Sequence, residues 1–211
     1  MSRAPRTVVL LAGPSGSGKS RLARLSGLPS LRLDDFYRDE DAPGLPRLAS
    51  GVVDWDDPAT WDDHAAATAL VQVARRGVVT TPAYDISASR STGTRTTDLG
   101  DAPAVIAEGI FATQLAGLGA GEEDADVPVW SIWLDRPRLA NWWRRLRRDL
   151  HDHRKPVPVL LSRGVLLCRR EPGLRAAALA RGFTPMTMAE ALARLESLGG
   201  QASPPASVAG G

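Results

Sequence analysis

Gly13-Pro14-Ser15-Gly16-Ser17-Gly18-Lys19-Ser20 has the spacing G-x-x-x-x-G-K-[ST] of a phosphate-binding loop. In such a loop, backbone N–H groups converge on phosphate oxygens at the positive end of a helix. Gly13, Ser15, Gly16, Ser17 and Gly18 would form the cradle. Lys19 would reach the β- and γ-phosphates, and the Ser20 hydroxyl would ligate Mg²⁺. The chain has only two lysines, Lys19 and Lys155, and one of them completes the loop. Three further groups have types suited to phosphoryl transfer, which needs charge neutralisation, alignment and an acceptor for a hydroxyl proton. Glu108 ends an apolar run and could hold Mg²⁺ directly or through water, completing a site begun by Ser20. Asp34 ends another short run, where its carboxylate could orient or deprotonate a substrate hydroxyl. Asp35 is adjacent and competes for that role. Arg145, Arg148, Arg154 and Lys155 cluster near one end of a basic segment, as a mobile lid stabilising a transferring phosphoryl group would need.

The elements that must position these groups can be read from periodicity. Thr7–Ala12 is an apolar, β-branched run that reads as a buried strand, and Arg21–Leu25 as the first turns of a helix. Ser30–Leu33 is a short strand candidate, and Arg38–Gly51 reads as a loop rich in Asp, Pro and Gly. Asp57 and Pro58 suit the cap and first position of a helix that Gly77 closes, with Trp61, Ala65, Ala69 and Val73 as its apolar stripe. Val78–Asp85 reads as an extended segment, half of a hairpin, and Ser87–Gly100 as a polar loop. Ala104–Gly109 and Val127–Leu134 read as strands, with an acidic, Gly-rich surface loop at Gly119–Asp126 between them. Arg136–Leu150 is a basic helix and Pro156–Arg170 another. Thr187-Met188-Ala189-Glu190 has capping-box spacing and opens a last helix ending near Leu198. Strands alternating with helices imply a mostly parallel sheet covered on both faces. Ligands of such sheets sit at the carboxyl ends of the strands, where the loop, Asp34 and Glu108 all fall.

Composition excludes several classes. The 211 residues have 43% hydrophobic and 24% charged side chains and a formal net charge of +2, ordinary for a globular protein and short of a whole-molecule attraction for nucleic acid. Cys168 is the only cysteine, so no intrachain disulfide forms. The first apolar run is too short for a signal-peptide core and no segment approaches transmembrane length, so the cytoplasm is the expected compartment. His64, His151 and His153 make no metal-ligand pattern. The expected organisation is one domain over residues 1–198, with a lid at about 136–156, an acceptor-binding region at about 52–100, and a disordered Gly/Ala/Ser/Pro-rich tail at 199–211.

Over most of residues 7–155 these motifs, in this order, resemble the uridine kinase and phosphoribulokinase family of P-loop kinases. Asp34-Asp35-Phe36-Tyr37 resembles the family's D-S-F-Y, whose first Asp is the catalytic base. Trp55-Asp56-Asp57-Pro58-Ala59-Thr60-Trp61-Asp62 resembles F-D-H-P-D-A-F-D, which implies that Asp56 binds ribose hydroxyls. Pro82-Ala83-Tyr84-Asp85 is similar to P-x-Y-D, whose Tyr lines the acceptor pocket. Ile106-Ala107-Glu108-Gly109-Ile110 resembles F-E-G-I, whose Glu serves Mg²⁺. The lid pattern R-x-x-R-D-x-x-x-R-x-R is matched by Arg145, Arg148 and Asp149, with His153 and Lys155 at its last two arginines. Ser89 stands where uridine kinases place a pyrimidine-reading His, and Arg90 is the nearest arginine.

The resemblance implies an α/β, three-layer P-loop kinase fold with a mostly parallel central sheet, helices on both faces and a basic helical lid. It implies an ATP- and Mg²⁺-dependent kinase for a hydroxyl of a nucleoside or related polyhydroxylated metabolite. Lys19, Asp34 and Arg148 would be catalytic; Asp56, Tyr84, Arg90 and Arg145 would bind the acceptor; Ser20 and Glu108 would hold the metal. The expected partner is a small molecule rather than nucleic acid or membrane, with a homo-oligomer open. The alternatives are a nucleotide-binding or hydrolysing protein without a small acceptor, and a kinase for a sugar phosphate, pantothenate or glycerate.

Overall fold

The computed structural model describes residues 4–137 and 171–200. Five strands form one parallel sheet in the order β2-β5-β1-β6-β7: β1 Thr7–Ala12, β2 Ser30–Arg32, β5 Ala104–Glu108, β6 Val129–Leu134 and β7 Thr184–Met186. Val8, Leu10 and Ala12 of β1 enter one apolar cluster, Val9 and Leu11 another. Burial on both faces accounts for the unbroken apolar runs of β1 and β5. On one face lies α2, Asp63–Arg76, whose Ala66, Ala69, Leu70, Val73 and Ala74 are buried. The same cluster takes Ala178 from α3, residues 171–180. The opposite face is covered by α1, Lys19–Ser26, through Leu22 and Ala23, and by α4, Met188–Gly200, through Ala191, Leu195 and Leu198.

Register brings the expected site residues to one edge. Leu11 of β1 and Arg32 of β2 both pair with Glu108, the last residue of β5. The chain leaving β1, β2 and β5 therefore emerges side by side at their carboxyl ends.

Three local expectations are revised, and one strand is new. β2 stops at Arg32, and Leu33–Phe36 form a 3-10 turn that contains both aspartates. Asp57 does cap, accepting from the Ala59 N–H at 2.8 Å, but only the 3-10 turn Pro58–Thr60. The helix restarts behind Asp62, which accepts from Ala65 N–H at 2.8 Å. Residues 87–100 are not a loop throughout: Arg90–Asp98 is β4, paired antiparallel with β3, Val78–Asp85, in a separate two-stranded sheet. Its exposed, Thr-rich residues show no apolar alternation, because neither face is buried. Finally, β7 is a three-residue strand that no periodicity announces.

Arg136 and Pro137 lie in irregular chain after β6. The rest of the expected basic helix, the helix expected over Pro156–Arg170, and the tail beyond residue 200 lie outside the described residues. No helix among the described residues is long and apolar enough to cross a membrane.

Candidate active site

The phosphate loop joins β1 directly to α1. Gly13, Gly16 and Gly18 take φ of 152°, 85° and 99°, a region in which only glycine is unstrained. At Gly13 a Cβ would also come within 3.2 Å of the Leu134 carbonyl. Lys19 is 8% exposed and its Nζ donates to the Gly13 carbonyl at 2.8 Å, so the ammonium sits inside the loop. Ser17 is fully buried beneath the loop. Ser20, at the start of α1, donates its hydroxyl to Glu108 Oε1 at 2.9 Å. The structure thus joins the two oxygens expected to serve Mg²⁺, although 88 residues separate them in the chain. A hydroxyl and a carboxylate are hard oxygen donors of the kind Mg²⁺ takes, with phosphate and water completing its shell.

Asp34 and Asp35 meet different partners from their shared 3-10 turn. The Asp34 carboxyl is held above its ordinary value of 3.8, first by burial and next by the negative charge of Glu108; Lys19 and Arg32 oppose the shift. Asp34 Oδ1 lies against Gly109, the residue after Glu108, and so borders the Ser20–Glu108 pair in the crevice at the carboxyl ends of the strands. Gly109 makes the approach possible. A Cβ there would lie 2.7 Å from Leu33 Cβ, closer than side chains tolerate, and 3.2 Å from Asp34 Oδ1. Asp35 is 1% exposed and accepts from the Tyr84 N–H at 3.2 Å.

An aromatic wall flanks this crevice. Tyr37 meets Trp55, Tyr84 and Phe111 at ring-centroid distances of 5.7, 5.6 and 5.7 Å, within the range of favourable edge and tilted contacts. The Tyr37 hydroxyl donates to the Trp55 carbonyl at 3.1 Å, and that of Tyr84 to the Arg38 carbonyl at 3.4 Å. Burial pushes both phenols up: Tyr84 to about 12, with Asp39 and Glu40 adding, and Tyr37 further, with Asp34 and Asp56 adding. Asp56 is exposed beside this wall, in the turn after Asp54. Arg90 stands exposed at the start of β4 opposite Asp85. Among the described residues no hydrogen bond or ion pair joins it to Asp34, Asp56 or Tyr84. Ser89 sits at the hairpin tip with φ of 50°, its carbonyl accepting from Glu40 N–H at 2.9 Å. Arg145, Arg148, His153 and Lys155 lie outside the described residues.

Sequence reasoning missed two features. Arg95 of β4 approaches Asp35 Oδ2 at 3.4 Å, invisible while that stretch reads as a loop. A cavity of about 540 Å³ opens on the other side of the phosphate loop, between Pro14, Trp133, Asp135, Arg175 and Thr187. Arg175 of α3 donates Nε and a terminal nitrogen to Asp135 Oδ2 at 3.0 and 2.8 Å. Asp135 follows β6 as expected of a strand-end carboxylate, whereas no local signal points to Arg175.

No family model and no curated protein matches the chain. Among solved structures, the fold is similar to that of a "putative fructose transport system kinase" from Silicibacter sp. TM1040. That match has a TM-score of 0.56 and 23% identity, and covers 82% of this chain and 86% of that one. A "possible uridine kinase" from Bacillus stearothermophilus aligns with TM-score 0.45 and 24% identity, over 69% of this chain and 79% of that one. The α/β fold expected from the sequence, a mostly parallel central sheet with helices on both faces, is the fold observed, while the expected basic helical lid lies outside the described residues.

Proposed function

We propose that this protein is an ATP- and Mg²⁺-dependent kinase that phosphorylates a hydroxyl of a nucleoside or a related polyhydroxylated metabolite. The observation that carries the reading is the convergence of Lys19, the Ser20–Glu108 pair and the half-buried Asp34 on one crevice, with an aromatic wall beside it. A loop that only bound nucleotide would need the first two and not a carboxylate at the acceptor side.

The loop amides and Lys19 bind the ATP phosphates. The 540 Å³ cavity beyond Pro14 has room for the nucleotide's base. Ser20 and Glu108 would hold Mg²⁺, which supplies charge neutralisation across the phosphates. The acceptor lies against Trp55 and Tyr84, with Asp56 accepting from its hydroxyls. Asp34 takes the proton as the acceptor oxygen bonds to the γ-phosphorus and the bond to the β-phosphate oxygen breaks, leaving ADP. Arg145 near the acceptor and Arg148 on phosphate would close the site from the lid. Aromatic stacking and carboxylates suit a planar, hydroxylated, uncharged acceptor better than a sugar phosphate or a carboxylic acid.

The test is steady-state turnover over a panel of nucleosides, sugars, sugar phosphates, pantothenate and glycerate, repeated with Asp34→Asn. The expected result is turnover of a nucleoside or uncharged polyol. Asp34→Asn should bind ATP normally and lose about 10²–10⁴-fold in transfer. Nucleotide hydrolysis that no acceptor stimulates, or full activity in Asp34→Asn, would overturn the proposal.

A further inference from the structure

The hairpin that carries Tyr84 shares no strand pairing with the main sheet, so contacts outside the sheet ladder must set its position. At its tip, Asp39 Oδ1 accepts from Ser91 N–H at 2.7 Å and Glu40 N–H donates to the Ser89 carbonyl at 2.9 Å. At its base the hairpin closes with its own rung, Leu99 N–H donating to the Gly77 carbonyl at 2.7 Å, and Val79 and Leu99 enter the core. Between tip and base, beside the Tyr84 contacts with Tyr37 and Arg38, stands Asp35. Its Oδ1 accepts from the Tyr84 N–H of β3 at 3.2 Å, and its Oδ2 lies 3.4 Å from Nε of Arg95 on β4. Arg32, at the end of β2, approaches Oδ1 at 3.9 Å. One carboxylate, 1% exposed, thus holds both strands of the hairpin and the end of a main-sheet strand. The residue before it in the chain is Asp34, whose Oδ1 lies against Gly109, next to Glu108.

We propose that Asp35 is a positioning residue: it fixes the hairpin, and with it Tyr84, at the separation from Asp34 that the acceptor requires. The consequence for the acceptor rests on the kinase reading; the anchoring does not. Chemistry makes the aspartate specific. A serine hydroxyl is too short to reach a backbone N–H and a guanidinium on different strands together. An asparagine retains an acceptor for Tyr84 N–H but loses the charge facing Arg95. A buried carboxylate that loses a partner is left uncompensated, so the whole link weakens rather than one bond. The two adjacent side chains meet different partners, so one turn can serve the phosphate crevice and the hairpin at once.

Hydrogen exchange and steady-state kinetics on the full chain test this with Asp35→Asn, Asp35→Ser, Arg95→Met and Arg95→Lys. Amides of residues 78–98 should exchange about tenfold or more faster in Asp35→Ser and Arg95→Met, less so in Asp35→Asn. Arg95→Lys should restore most of the protection, while amides of β1 and β5 stay as protected as in the wild type. In Arg95→Met the acceptor KM should rise about tenfold, with kcat and the KM for ATP changing less than about threefold. Asp35→Asn combined with Arg95→Met should be no worse than the more damaged single variant, as expected of coupled partners. Unchanged hairpin exchange, or exchange rising equally in β1 and β5, overturns the anchor. Faster hairpin exchange without a change in acceptor KM overturns the positioning role. A wild-type protein that turns over no acceptor sinks the kinase reading, and the exchange data still decide the anchor.

Discussion

A carboxyl group drawn into a half-buried crevice beside a second carboxylate binds its proton more tightly than in water, and Asp34 stands in that position. The shift has opposite consequences for stability and for catalysis. Asp34's native pKa lies above its unfolded value. At pH below the unfolded value Asp34 is protonated in both states, and its burial is then least costly. As pH rises through the native value the folded protein must hold an ionised group in a poor solvent, and that stability is lost. Asp34→Asn should therefore raise the melting temperature at pH 7, and the gain over wild type should disappear as pH falls below the ordinary carboxylate range; calorimetry across pH checks this. Activity runs the other way, since a base must be ionised. The acid limb of kcat/KM should lie above the ordinary carboxylate value of 3.8.

At the scale of elements, purely local signals fared unevenly, and the reason is physical. The capping box of α4 formed as its spacing implies. Thr187 N–H donates to Glu190 Oε2 at 2.7 Å, and Glu190 N–H donates to Thr187 Oγ1 at 3.3 Å. Thr187→Ala should cost about 1 kcal/mol in urea unfolding, as other N-caps do. The sequence points to Asp57 as the cap of α2, whereas the helix is capped by Asp62. Tertiary contacts chose. Trp61 is extended, paired with Tyr37 in an antiparallel bridge, and its Nε1 donates to the Leu33 carbonyl at 2.6 Å. The Asp62 N–H donates to the Phe36 carbonyl at 3.0 Å, which holds the chain straight until Asp63. β4 has no sequence signal because a strand exposed on both faces carries no alternation for periodicity to detect.

Across the whole molecule, one buried cation ties distant segments together. Arg6 is 9% exposed and donates Nε to the Ala102 carbonyl at 3.2 Å and a terminal nitrogen to that of Gly100 at 2.9 Å. Its main-chain N–H donates to Ala74 of α2 at 2.9 Å. The guanidinium lies under Gly77, where a Cβ would come within 2.7 Å of it. Gly77 is thus required twice, by its φ of 81° and by this close approach. Arg6→Met would leave carbonyls near the hairpin's base unpaired, at a cost of about 1–3 kcal/mol. Thermal unfolding should show it as a drop of roughly 2–4 °C per kcal/mol. Nucleotide binding at the opposite end of β1 should be unaffected in the folded protein.

What the amino-acid sequence determined by itself is the phosphate loop with its flanking strand and helix, the carboxylate at the end of β5, and the parallel α/β class. These depend on the backbone geometry of contiguous residues, which spacing and residue type specify. The tertiary structure alone decided which of two adjacent aspartates lies against Gly109, next to Glu108, and which holds the hairpin. It also decided that residues 90–98 pair as a strand, and that Asp135 and Arg175 line a cavity beside the loop. Those outcomes depend on partners tens of residues away, and a side chain's direction on a turn is chosen by the group it meets there.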